Sequence, residues 1–153
     1  MPHRSKSLYH ISTTLPVPLS FAFRWCTDFR ADDARREGES YERRVLERSS
    51  RRVVYEDIEA TPTGWYWARY TVSLLPPDRW HAESIGNWRD ATLDYRLTPL
   101  GPRRTRFELT WTRRPTPLGG KLASRRSIEQ GTLAAWRRFA RSIQTDYRKS
   151  RRK

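Results

Sequence analysis

The hydrophobic period of this chain changes along its length, and that change constrains the fold more than any motif does. Between Tyr41 and Arg113, successive segments alternate apolar and polar residues with a period of two, at 42–49, 51–59, 65–75, 79–85, 88–98 and 104–113. Turn formers separate them: Ser49-Ser50, Thr61-Pro62-Thr63-Gly64, Pro76-Pro77-Asp78, Gly86-Asn87, and Pro99 to Pro102. Strands joined by loops this short must run as hairpins in an antiparallel meander, since parallel pairing needs a long crossover. Past Pro115 to Gly120 the period becomes 3.6. Ile128, Thr132, Trp136, Phe139, Ile143 and Tyr147 recur every three or four residues, widened by Leu133 and Ala140, which predicts one long amphipathic helix over about 121–148.

Ahead of the meander, residues 7–14 alternate well enough for a first strand, with Leu8, His10 and Ser12 on one face and Tyr9 and Ile11 on the other. His10 shares its face with Leu8 and is a candidate inward histidine, although a lone histidine there is more often a satisfied core residue. Pro16 and Pro18 end strand pairing because proline offers no ladder donor. Leu19, Phe21, Ala22, Phe23, Trp25 and Cys26 then form a short apolar helix ending near Phe29. Arg30 to Glu42 is a charged loop with room for one extra helical turn. Residues 149–153 read as a basic, disordered tail, and 1–153 as a single domain.

Only 36% of residues are apolar but 12% are aromatic, and rings this large close a core with few residues. No apolar run is long enough for a membrane-spanning helix, and Met1 to Ser7 lacks a signal-type stretch, so a cytoplasmic protein is expected. Cys26 is the sole cysteine and the three histidines are far apart, which leaves no thiolate or zinc pattern and no expected cofactor. The net charge is +14, and 27 of the 31 cations are arginine. Residues 101–153 hold 16 cations against 3 anions, so almost the whole excess lies in the last third. A GC-rich coding sequence accounts for the arginine bias, and the scarcity of Asn, Gln, Cys and Met fits a hot habitat.

Strand, short helix, meander and long C-terminal helix together resemble the helix-grip fold of the START-like (SRPBCC) superfamily, most closely its polyketide cyclase/dehydrase branch. The most specific local piece is Ile11 to Phe29 (ISTTLPVPLSFAFRWCTDF); the acidic residue usual two positions after the proline is absent, since Leu19 and Ser20 follow Pro18. The resemblance implies an α+β fold in which an antiparallel sheet of about seven strands curls around the last helix. It also implies a cavity between them for lipids, quinones, polyketides or similar hydrophobic molecules, with binding rather than catalysis as the main expectation.

Strand parity shows which side chains face such a cavity. A two-residue Gly86-Asn87 turn pairs Ile85 with Trp88, Ala82 with Ala91 and Trp80 with Leu93, and paired residues share a face. The inward set then includes Tyr66, Tyr70, Trp80, Ser84, Tyr95, Phe107 and Trp111, with Trp136 from the helix, a largely apolar lining with a few polar anchors. A core filled solid by the same side chains is the alternative. Glu56 and Asp57 are adjacent, so one must point inward. Glu56, on the face of Val54 and Ile58, is the candidate general acid or base for a cyclase or dehydratase, unless Val53 and Tyr55 mark the inner face.

The basic last third is either plain solvated surface, a docking face for anionic membrane headgroups, or a nucleic-acid or ribosome contact aided by outward Trp65 and Trp67. That tryptophan pair, with Arg69, His81 and Glu83 on the same outer face, is also a candidate homodimer patch.

Overall fold

The computed structural model describes residues 7–119 and 123–152. In chain order the elements are β1 (Ser7–Leu15), α1 (Leu19–Thr27), α2 (Asp33–Glu37), β2 (Glu42–Arg48), β3 (Arg52–Thr61), β4 (Gly64–Leu75), β5 (Arg79–Gly86), β6 (Arg89–Gly101), β7 (Arg104–Pro115) and α3 (Arg125–Ser150). Among the described residues the strands form one antiparallel seven-stranded sheet in the order β1-β7-β6-β5-β4-β3-β2. The meander therefore accounts for every neighbour except β1, which crosses back to pair with β7 from Ser7↔Arg113 to Leu15↔Thr105. The sheet curls, and α3 lies along its concave side. This is the α+β helix-grip architecture.

Local chemistry explains the boundaries. Pro18, at φ −63°, stands immediately before α1, where its missing N–H costs nothing. α2 occupies the charged loop and ends on Gly38, whose left-handed backbone (φ 73°) sends its N–H back to the carbonyls of Ala34 and Arg35. Ser124 caps α3 by accepting from Ser127 N. α3 continues to Ser150, so Lys149 and Ser150 are helical rather than part of a disordered tail, and the expected start at 121–122 lies outside the described residues.

The stripe of α3 packs as its spacing requires. Ile128 and Ile143 are buried, while Leu133, Trp136, Ala140 and Tyr147 pack against the core. On the sheet, Phe107, Leu109 and Trp111 of β7, Leu97 of β6, Trp80 and Ala82 of β5 and Val72 of β4 are buried, on the faces that parity assigns. Two expectations need correction. On β1 it is Tyr9, Ile11 and Leu15 that are buried; His10 and Leu8 are exposed, and His10 Nδ1 lies 3.0 Å from Thr110 Oγ1 across the strand pair. The β5–β6 register is also shifted by two residues, with Ala82↔Leu93 and Trp80↔Tyr95. Gly86 does not turn; it still pairs with Ala68 of β4, and Asn87 Oδ1 accepts from Trp67 N at 2.9 Å. A Cβ at Gly86 would sit 2.6 Å from the Trp67 carbonyl oxygen, so only glycine lets β5 run that close. A shift of two leaves the faces unchanged.

α3 is joined to the sheet at its edge. The backbone N–H of His10 donates to Glu129 of α3 at 2.7 Å, which covers part of the open edge that β1 presents.

Candidate ligand cavity

Between the concave face and α3 lies a cavity of about 410 Å³, within the range of small-molecule sites. Aromatic residues are the largest group in its walls. Tyr55 comes from β3, Tyr66 and Tyr70 from β4, Trp80 from β5, and Leu93 and Tyr95 from β6. Trp25 and Cys26 of α1 and Ala135, Trp136 and Phe139 of α3 close it from the helical side. The rings hold one another in place: Phe29 stacks on Tyr55 at 5.1 Å between centroids, Tyr55 on Tyr70 at 4.9 Å, and Trp80 on Tyr95 at 4.7 Å. Burial pushes the hydroxyl pKa values of Tyr55 and Tyr70 well up, so both are donors over the whole biological pH range.

One wall is charged. Arg43 of β2, only 6% exposed, makes a two-bond contact with Asp57 of β3 (Nε–Oδ1 2.8 Å, Nη2–Oδ2 3.0 Å) and reaches Asp33 of α2 at 2.6 Å. Its guanidinium lies 4.2 Å over the Tyr55 ring. Asp33 also receives Arg36 at 2.8 Å; Arg36 continues to Asp28 at 3.1 Å and to Asp146 of α3 at 3.4 Å, and stacks over Trp25. Burial pushes Asp33 and Asp57 up despite the arginines, and pushes Asp28 up to about 6. Glu37 has no cationic partner among the described residues. It accepts from the Tyr41 hydroxyl, and burial pushes its carboxyl up to about 7.

Of the candidates read from the sequence, Tyr66, Tyr70, Trp80, Tyr95 and Trp136 line the cavity together. Ser84, Phe107 and Trp111 share the inward face but lie in packed core. Phe107 is covered by Trp136 at 3.8 Å and Trp111 packs beside Tyr9 at 5.3 Å. Glu56 does not reach the cavity. It lies on the convex face, accepting from Trp67 Nε1 at 2.7 Å and Arg69 at 3.3 Å, and those bonds hold its carboxyl below the usual range. The inward carboxylate of that adjacent pair is Asp57. Cys26 lies against the cavity with its thiol pKa raised by burial, a small apolar side chain rather than a nucleophile.

Trp65 is 63% exposed on the convex face, whereas Trp67 is tied to Glu56. The arginines Arg137, Arg141 and Arg148 point to solvent from α3, and Arg138 pairs with Glu39 at 2.9 Å. Among the described residues no helix is long and apolar enough to cross a membrane.

No protein-family model and no curated protein matches this chain. Solved structures do. The protein TTHA0849 from Thermus thermophilus superposes with a TM-score of 0.74 over 92% of this chain and 99% of its own, at 15% identity. The ZhuI aromatase/cyclase from Streptomyces gives 0.64 over 89% and 88%, at 14% identity. A START superfamily protein from Mycobacterium smegmatis gives 0.64 over 91% and 95%, at 9% identity. At such identities the likeness carries the fold alone: the chain has the START-like helix-grip fold.

Proposed function

We propose that this protein binds a small hydrophobic ligand of the lipid, quinone or polyketide class between its sheet and α3, and holds it without transforming it. The observation that carries this reading is the cavity of about 410 Å³ between the sheet and α3, with aromatic residues as the largest group in its walls. The START and aromatase/cyclase neighbours support a ligand-binding use of this geometry.

Ala135 faces the cavity from α3 and gives a direct test. Ala135→Trp should fill the space and weaken binding of the neutral fluorescent probe N-phenyl-1-naphthylamine by roughly ten-fold or more, about 1.4 kcal/mol, read by titration. Equal affinity in both proteins would overturn the reading. A second reading, an acid–base enzyme of the cyclase or dehydratase kind in the same cavity, is favoured by Glu37 alone, whose raised pKa of about 7 suits proton transfer at neutral pH. In that case Glu37→Gln stops turnover of a polyketide substrate while leaving probe binding in place; unchanged turnover removes Glu37 from the chemistry.

A further inference from the structure

The cavity differs in charge from the protein around it. In a chain of net charge +14, five lining residues carry carboxylates (Asp33, Glu37, Glu39, Asp57, Glu59) and three carry guanidinium groups (Arg36, Arg43, Arg89). Glu39 is paired with Arg138 of α3, so the charges that concern the interior are those of the connected network in the charged wall. There Arg36 and Arg43 serve Asp28, Asp33, Asp57 and Asp146, and the Tyr41 hydroxyl, 3.3 Å from Arg43, extends the chain of contacts to Glu37. Of these, Asp33, Asp57 and Glu37 line the cavity beside Arg36 and Arg43, whereas Asp28 and Asp146 lie outside it and are about a third exposed; the lining carboxylate of this network left without a guanidinium is Glu37. Burial moves the pKa values of Asp28, Asp33, Glu37 and Asp57 upward; Arg36 and Arg43 oppose that shift at the three aspartates, while Glu37 has no ion pair among the described residues.

A second observation points the same way. Tyr55 is 6% exposed and lines the cavity, yet its hydroxyl has no hydrogen-bond partner among the described residues. That oxygen is not fully enclosed by protein, and the residue belongs to the cavity lining. Glu37, without an ion pair, and the Tyr55 hydroxyl, without a hydrogen bond, thus belong to the same cavity lining. A single unpaired carboxylate beside aromatic rings suits an ammonium, which one acceptor and nearby π faces can hold.

Resting on the ligand-binding reading, we propose that the cavity selects a ring-bearing ligand that carries a protonated amine, with the ammonium received by Glu37 and the rings packed among Trp80, Tyr95 and Trp136. An ammonium in a site lined by tyrosine and tryptophan also gains from their π faces. A carboxylate or phosphate ligand would meet the same wall with like charge. Arg89, over the Tyr66 ring at 5.6 Å, leaves a cationic group for a polar substituent elsewhere on the ligand.

Calorimetric titration of the full chain with three matched naphthalenes tests this at mildly alkaline pH, where Glu37 is ionised: 2-(2-naphthyl)ethylamine, 2-(2-naphthyl)ethanol and 3-(2-naphthyl)propionate. The amine is expected to bind roughly ten-fold or more tightly than the alcohol, as a desolvated charge-assisted contact allows, and the carboxylate most weakly. In Glu37→Gln the amine should lose most of that advantage while the alcohol keeps its affinity. An amine no tighter than the alcohol, or an advantage that survives Glu37→Gln, overturns the inference and leaves the ligand-binding reading standing. Absence of binding by all three overturns both. Should the variant not fold, the order of affinities in the native protein still decides.

Discussion

Arg43→Ala is expected to destabilise the protein by about 3–5 kcal/mol, because it leaves the buried Asp57 without its counter-charge and the buried Asp33 with one of its two. Asp33 and Asp57 are each only 9% exposed at the side chain; Asp57 depends on this one guanidinium through two bonds, and Asp33 would keep only Arg36. Arg43 also closes over Tyr55 at 4.2 Å, so the aromatic wall loses a face at the same time. Denaturant unfolding measures the effect. Combining Arg43→Ala with Asp57→Asn should recover part of the loss, since the second change neutralises one stranded charge. A single-variant loss below about 1 kcal/mol would mean that the carboxylates reach water, and that the wall is not the dry, charged surface described above.

The second large effect is a stability that falls as pH rises. Burial pushes the Glu37 carboxyl from its ordinary 4.5 up to about 7 in the folded chain, and that of Asp28 from 3.8 to about 6. A carboxyl whose pKa rises on folding binds its proton more tightly in the folded state. Its contribution is complete below the unfolded value and is lost as pH climbs through the folded one, here between about 4.5 and 7 for Glu37. Asp33 and Asp57 move in the same direction. Glu37→Gln keeps a neutral side chain at every pH. It should raise stability at pH 8 by about 2 kcal/mol and flatten the pH dependence, measured as thermal midpoints at several pH values. Native and variant profiles that superimpose would show that Glu37 is hydrated and ionises normally.

The contrast between these two residues and the tyrosines shows which parts of the site can be read from sequence. Tyr66, Tyr70, Trp80 and Tyr95 sit on strands whose two faces differ sharply in polarity, so a period of two assigns them to the inside, and a slip of two in the β5–β6 register does not disturb that. Segment 51–59 has apolar residues on both faces, Val53 and Tyr55 against Val54 and Ile58, so its alternation carries no information about direction. Glu56 and Asp57 therefore exchange roles between expectation and structure. β1 has the same ambiguity, with Leu8 on one face and Tyr9 and Ile11 on the other. The charged wall is less visible still. Asp28, Asp33, Arg36, Glu37 and Arg43 fall in or next to a segment whose charge density reads as solvated loop, and only the tertiary fold brings them together under α1 and α3. Their one local signal is the i,i+3 spacing of Asp33 and Arg36, which is common on exposed helical turns.

The bond from His10 to Glu129 joins residues 119 positions apart, and β1 reaches its partner β7 only across the whole meander. During synthesis the first strand therefore waits, unpaired, until β7 exists, and the concave aromatic surface stays uncovered until the final helix has left the ribosome. The cavity lacks its helical wall until α3 meets the sheet, so a chain that stalls before α3 presents bare rings and an edge of β1 that Glu129 does not cover.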